Sequence, residues 1–312
     1  MAPPNQSRVW ANENARLASL KAMQRHLIVT ADDFGLHDAV NEGVERGSRE
    51  GILTAASLMV SGPAAADAVR RARRLPNLRV GLHIVLADGM SSLPHPQIPS
   101  ITDADGRMGE DMFSRGVRFF ASASARKQIE AEIRAQFLAF ARTGLPLDHV
   151  NAHKHFHLHP TILGILIRVA REFGARAMRV PDEPFWFAAR SGHWTAAAAG
   201  TLLAPWLMLM RHRLRAAGIF HNDWVFGIAN SGSMDEEQLL AVLGRLPRGV
   251  TEIYLHPATT SGAAVAPSMH AYRHADELAG LLSPRVREAM AALNVRRGGY
   301  SDVLLNIGRS LA

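Results

Sequence analysis

Two rhythms of hydrophobic and polar positions alternate along this chain. Short apolar, partly β-branched runs at 27–31, 55–60, 79–85, 147–151, 177–180 and 252–255 read as strands. Between them, 38–50, 64–75, 125–143, 160–173, 235–246 and 270–282 carry apolar stripes at helical spacing; Ile129, Ile133, Phe137 and Phe140 make one such face. Strand–helix alternation predicts an α/β fold, a parallel sheet with helices outside it. No internal repeat accompanies it.

Two segments break the rhythm. Residues 86–124 are rich in Pro, Gly and Ser and read as a long loop or cap. Residues 182–233 hold Phe185, Trp186 and Phe187, then an uncharged run from Trp194 to Met210, then Arg211, His212, Arg213 and Arg215. That run is at the bottom edge for a membrane span and is interrupted by Gly200 and Pro205, so it reads as a buried or cap helix. Residues 1–24 lack the long apolar core of a signal peptide and read as a polar extension. The expected organisation is that extension, then one domain over 25–312 with insertions at 86–124 and 182–233.

Chemistry gathers where strands end. The first strand runs into Asp32-Asp33-Phe34-Gly35, two adjacent carboxylates and a glycine. Carboxylates are costly to bury, so a strand ending on two of them delivers them to a cleft. His83 ends the third strand, His153, His155 and His157 follow the fourth, Arg179 closes the fifth and His256 the sixth. In parallel α/β folds the C-terminal strand ends form the site. Each residue has a plainer reading: a helix cap for the aspartates, a core hydrogen bond for His83, a solvated loop for the histidine run, a strand cap for His256, an ion pair for Arg179. The joint pattern favours a site. Spacing of two along an extended chain would put His153, His155 and His157 on one face.

Composition narrows the chemistry. The chain of 312 residues has no cysteine, so any metal site uses His, Asp or Glu. One carboxylate with two imidazoles suits zinc or another divalent ion, magnesium or nickel among them, with positions open for water. A second carboxylate could take a proton and a further histidine could give one, which is hydrolytic chemistry. Which carboxylate does which is open at this point. Phosphate-cradling glycine loops are absent, against a kinase or dehydrogenase. Net charge is +7, and the basic residues are 35 − 3 = 32 arginines to three lysines. They are dispersed with few aromatics between them, so nucleic acid is not expected as a partner, whereas anionic lipid is compatible. The chain is expected in the cytoplasm, with room for peripheral contact at the inner membrane face. Oligomeric state is not legible.

Thr30-Ala31-Asp32-Asp33-Phe34-Gly35, Gly81-Leu82-His83 and the His153, His155, His157 run, in that order, resemble the YdjC-like carbohydrate deacetylases. The segments 53–60, 150–160 and 179–181 are similar to the hopanoid-associated branch of that family. The resemblance runs from about residue 25 to about residue 300. It implies a distorted (β/α) barrel and a divalent metal held by Asp33, His83 and His153, with Asp32 as general base and His256 as acid or oxyanion partner. His155, His157, Arg179, Trp186 and Trp206 are expected at the substrate. The branch implies removal of acetyl from an N-acetylglucosaminyl hopanoid, a glycolipid. Soluble chito-oligosaccharides are the second substrate class, and a non-enzymatic sugar- or membrane-binding protein the third reading.

Overall fold

A computed structural model describes residues 25–309; the N-terminal extension expected over 1–24 lies outside the described residues. The chain order is β1 (Arg25–Phe34), α1 (Asp38–Glu50), β2 (Ala55–Leu58), α2 (Ala65–Ala72) and β3 (Arg79–Ile84), then a small hairpin of β4 (Gly89–Met90) and β5 (Arg107–Met108). Next come α3 (Met112–Ala121), α4 (Ala123–Arg142), β6 (Val150–Ala152), a 3-10 turn His153–Leu158, α5 (Pro160–Glu172), α6 (Phe185–Arg190) and α7 (Trp194–Ala216). The chain closes with β7 (Trp224–Phe226), α8 (Glu236–Leu243), β8 (Gly249–Leu255), α9 (His274–Leu282), α10 (Pro284–Ala292), β9 (Arg296–Arg297) and α11 (Tyr300–Arg309).

The main sheet is parallel in the order β6-β3-β2-β1-β8-β7, with β9 added beside the start of β1. Two isolated parallel bridges, Val150 to Met178 and Ala177 to Phe220, carry the pairing past β6 toward the residues that lead into β7. The sheet therefore curls into the expected distorted barrel. The strand expected over 177–180 survives only as these bridges.

Period-two alternation sorts the barrel interior into layers. Ile28, Ala55, Ala177 and Val250 pack at the bottom on Tyr300, Val303 and Ile307, so α11 plugs that end. One step up, Thr30, Ser57, Arg179 and Glu252 form a buried polar layer. Above that, Asp32, His83, Tyr254 and His256 reach the open end. The outer strand faces and the inner helix faces make the large apolar core.

Two expectations are corrected. Residues 86–124 are not one long loop: Asp111 caps α3 by accepting from the amides of Phe113 and Ser114, and Ser122 caps α4. Residues 182–233 are not wholly an insertion, because β7 inside them is a strand of the main sheet paired with β8. The uncharged run from Trp194 does form a helix, α7.

Candidate active site

The aspartate pair reaches the interior through a β-bulge. Between Ala31 and Phe34 the register of β1 against β2 slips, with Ala31 opposite Ala56 but Phe34 opposite Leu58. Asp33 takes the extra place with φ of 62°. Neighbouring residues of a regular strand point to opposite faces; the left-handed residue breaks that rule, and both carboxylates turn inward. Aspartate is among the few non-glycine residues that tolerate this conformation.

Asp33 meets two imidazoles. Its Oδ1 lies 3.0 Å from His153 Nδ1 and 3.2 Å from His83 Nε2. Ligand atoms of Asp33, His83 and His153 all lie within 4.8 Å of one another, and all three residues are buried. His83 Nδ1 lies 2.7 Å from Asn151 Oδ1, while Asn151 Nδ2 donates to Asp32 Oδ1 at 3.2 Å. Arg179 holds Asp32 ionised, so that carboxylate can only accept; the amide nitrogen of Asn151 must face it and the amide oxygen must face His83. His83 is then the donor through Nδ1, which turns its Nε2 to the Asp33 carboxylate, where a proton or a metal ion lies between them. Asp33 Oδ2 is buried with no hydrogen-bond partner among the described residues. The donor set of one carboxylate and two imidazoles fits a divalent ion of the zinc type.

Asp32 sits beside this group with a different job. Arg179 donates to both its oxygens, Nη1 to Oδ2 at 2.5 Å and Nη2 to Oδ1 at 3.0 Å. Burial works against ionisation, but the Arg179 charge outweighs it, and Asp32 stays far below the usual carboxylate range. Arg179 also grips Glu252 through Nε and Nη2, each at 2.8 Å. Glu252 takes further bonds from Thr30 and Tyr300, both at 2.6 Å. His256 Nε2 is 3.8 Å from Asp33 Oδ2. Burial pushes its imidazole down to about 4, so the ring is neutral at ordinary pH, and its amide is pinned by Glu277.

The cleft above is a cavity of about 170 Å³, lined by Asp32, His83, His153, Lys154, His155, Tyr254, His256 and Tyr272 among others. That is small beside the ~300–1,000 Å³ of drug-sized sites.

The sequence reading placed five residues at the substrate, and only His155 lines the cavity. Its Nε2 shares a hydrogen bond of 3.0 Å with the Tyr254 hydroxyl. The three histidines do not share a face as an extended chain would require. Lys154 and His155 both adopt left-handed backbone, φ 52° and 53°, and the run coils into a 3-10 turn. His157 therefore points beneath the site, fully buried, with Nε2 on the Arg179 carbonyl at 3.1 Å. Arg179 itself is sealed under Asp32. Trp186 packs on Phe187 and Phe226 with Arg245 over its ring, and Trp206 donates its indole N–H to the Leu158 carbonyl at 2.9 Å. Neither tryptophan lines the cavity.

Asn151, Glu252, Tyr254 and Tyr272 are site residues the sequence reading passed over. The signal for three of them was there: Glu252, Tyr254 and His256, like His149, Asn151 and His153, repeat every second residue in otherwise apolar strands.

A curled parallel barrel with an Asp, two His and a second Asp at its C-terminal rim defines a metal-site enzyme of the (β/α) barrel class. The chain belongs to the YdjC-like protein family, whose model matches residues 26–292. It is 29% identical over 284 residues to a carbohydrate deacetylase of Geobacillus stearothermophilus, covering 90% of this chain and 98% of that one. It is 30% identical over 282 residues to a chitooligosaccharide deacetylase of Klebsiella pneumoniae, covering 90% of this chain and all of the relative (100%). A carbohydrate deacetylase of Brevibacillus brevis is 42% identical over 160 residues, 51% of this chain and 59% of that protein. A crystal structure from Enterococcus faecalis, provisionally named a cellobiose-phosphate cleavage protein, superposes with a TM-score of 0.70 at 22% identity, over 90% of this chain and 99% of the other. That likeness supports the fold alone.

Proposed function

We propose that this protein is a metal-dependent carbohydrate deacetylase that hydrolyses the N-acetyl amide of an amino sugar. The observation that carries the reading is the pairing of unlike carboxylates: Asp33 faces two imidazoles as a cation ligand, while Asp32, held ionised by Arg179, lines the cavity beside it. Full-length deacetylase relatives agree with it. Asp33, His83 and His153 would hold a divalent ion, which when bound would supply Lewis acidity toward an amide carbonyl and lower the pKa of water to roughly 7. Asp32 accepts the proton of the attacking water. Clasped by Arg179, Asp32 is a weak base and would serve toward water that such an ion acidifies. His256, neutral at rest, would take over the proton that Asp32 removes from the attacking water and pass it to the departing amine. Tyr254 and His155 border the sugar.

Acetate release from N-acetylglucosamine oligomers by the metal-loaded protein tests the reading. Release that Asp32→Asn abolishes is expected; release that survives this change would remove Asp32 from the chemistry.

The finer substrate is a lipid-linked amino sugar, an N-acetylglucosaminyl hopanoid, taken at the inner face of a membrane. A specific observation favours it over a soluble oligosaccharide. Phe113 and Leu202 are each 83% exposed, and Val117, Phe120, Trp194, Met208 and Leu209 are also exposed. No acidic residue occurs between Asp111 and Glu130 or between Glu183 and Asp223, so α3 and α7 carry only positive charge. Both helices abut the loop that carries His153: Gly116 of α3 faces His159, and Trp206 of α7 bonds Leu158. Apolar bulk beside arginines is how an interfacial helix meets anionic lipid. Among the described residues no helix is long and apolar enough to cross a membrane, so the contact would be peripheral. Comparing acetate release from a glycolipid and from a soluble oligomer decides between the two substrates.

A further inference from the structure

Ser57, His149 and Asp148 form a hydrogen-bonded chain with the makeup of a hydrolytic triad. Ser57 Oγ lies 3.0 Å from His149 Nε2, and His149 Nδ1 lies 2.9 Å from Asp148 Oδ2. Ser57 and His149 are completely buried, and none of the three lines the cavity. No substrate reaches this serine, so the chain needs another role.

Its direction can be worked out atom by atom. Asp148 accepts from the amides of Tyr300 and Ser301, at 3.0 and 2.8 Å, and from the Ser301 hydroxyl at 2.5 Å. It is surrounded by donors at the start of α11, where a helix N-terminus favours negative charge. Asp148 is therefore an acceptor, and His149 gives it the Nδ1 proton. At the other end, Asn151 Nδ2 donates to Ser57 Oγ at 2.9 Å, because the same nitrogen must face Asp32. Among the described residues only one acceptor is left for the serine proton, His149 Nε2, which is bare once Nδ1 holds the proton. Every donor then has one acceptor, from Asp148 through His149, Ser57 and Asn151 to His83.

We infer that Ser57, His149 and Asp148 are positioning residues that lock the Asn151 amide, and through it hold His83 with its proton on Nδ1 and its Nε2 lone pair aimed at Asp33. Without Ser57, the amide of Asn151 is anchored on one side by Asp32 alone, at the longest distance of the set. It then turns more freely, and His83 loses the partner that fixes its proton. The relay also ties the plug at the barrel bottom to the site at the top. The sequence Gly81-Leu82-His83 bears its mark: a Cβ at Gly81 would lie 2.5 Å from His149 Cε1 and Nε2, so only glycine leaves room for the relay histidine.

The inference rests on Asp33, His83 and His153 holding a cation and is independent of the sugar. The test is zinc affinity of the full chain, by competition with a chromophoric chelator, in Ser57→Ala and in His149→Phe, which keeps a ring against Gly81. Both should bind zinc roughly 10–100-fold more weakly, the range typical of losses outside the ligands themselves. In the zinc-loaded protein the His83 Nδ1 proton should be protected from exchange, and Ser57→Ala should lose that protection. A merely structural role would lower the melting temperature and leave affinity and protection alone. Unchanged zinc affinity in both variants overturns the relay. Wild-type zinc binding without acetate release would count against the deacetylase reading and leave the relay standing.

Discussion

Arg179 clasps Asp32 through two hydrogen bonds, at 2.5 and 3.0 Å, with the arginine fully buried and the aspartate meeting only the cavity. The same guanidinium holds Glu252, so one cation sits between two buried carboxylates. The fork geometry suits arginine; a lysine ammonium could not address both at once. Asp32 thus owes its charge to a residue that never meets the substrate.

Arg179→Gln should reveal that dependence in two ways. Removing one partner of a buried ion pair costs about 3–5 kcal/mol, so a marked fall in melting temperature is expected. The pH profile is the sharper readout. With the main opposing charge gone, burial pushes the Asp32 carboxyl upward, and the acidic limb of kcat/KM should move to higher pH. A variant that still folds but keeps the wild-type acidic limb would show that Asp32 is not the proton acceptor.

The two aspartates should separate cleanly. Asp33→Ala removes a ligand and should abolish tight zinc binding, measured directly by metal content. Asp32→Asn keeps the shape and should retain zinc while turnover falls by roughly 10²–10⁴-fold. Zinc lost from Asp32→Asn and kept by Asp33→Ala would reverse the two assignments.

The barrel and its rim were legible because strand–helix alternation and polar residues at strand ends survive in one dimension. Asp33, His83 and His153 come together as the motifs imply. The bulge at Asp33 was not legible, since nothing in Ala31-Asp32-Asp33-Phe34 marks where pairing slips. The turn at Lys154 and His155 was hidden for the same reason: two left-handed non-glycine residues are held by tertiary contacts, among them the Lys154 to Asp88 pair at 2.6 Å. An extended reading of that run therefore misplaced His157. Glu252 was concealed differently. Arg179 was legible as a strand-end residue with an ion pair as its plainer reading, but Glu252 looks like a surface charge in composition, and only the curled sheet shows that the two satisfy each other in the interior. Trp206 was expected at the substrate from the apolar, tryptophan-bearing character of its segment, but its indole N–H bonds the Leu158 carbonyl and the ring lies outside the cavity lining.

His157 gives a stability prediction with a defined sign. Burial, aided by the Arg179 charge, pushes its imidazole down to about 3, against about 6.5 in an unfolded chain. Between those values the unfolded chain binds the extra proton, so stability falls as pH drops from about 6.5 toward 3. His157→Gln keeps an N–H in reach of the Arg179 carbonyl and removes the titration. Unfolding free energy, followed by urea denaturation across that window, should lose up to one proton of slope, about 1.4 kcal/mol per pH unit. An unchanged slope would mean that other groups carry the acid sensitivity.

The exposed apolar helices decide the substrate question. Leu202 and Met208 on α7, and Phe113 and Phe120 on α3, face outward on helices that contain arginines and no acids. If they rest on lipid, Leu202→Glu with Met208→Glu should weaken binding to vesicles containing anionic phosphatidylglycerol, and Phe113→Glu with Phe120→Glu should do the same. Neutral phosphatidylcholine vesicles should bind less well than anionic ones from the start, and added salt should erase the difference. Activity on a glycolipid should fall with vesicle binding, while acetate release from a short soluble oligomer should change little, because both helices lie outside the cavity lining. Because these side chains are already exposed, the unfolding free energy should hold within the roughly 0.5 kcal/mol typical of surface changes. Vesicle binding that ignores all four substitutions would show that these helices do not make the contact, and an unsubstituted protein that fails to bind anionic vesicles would leave a soluble amino sugar as the substrate.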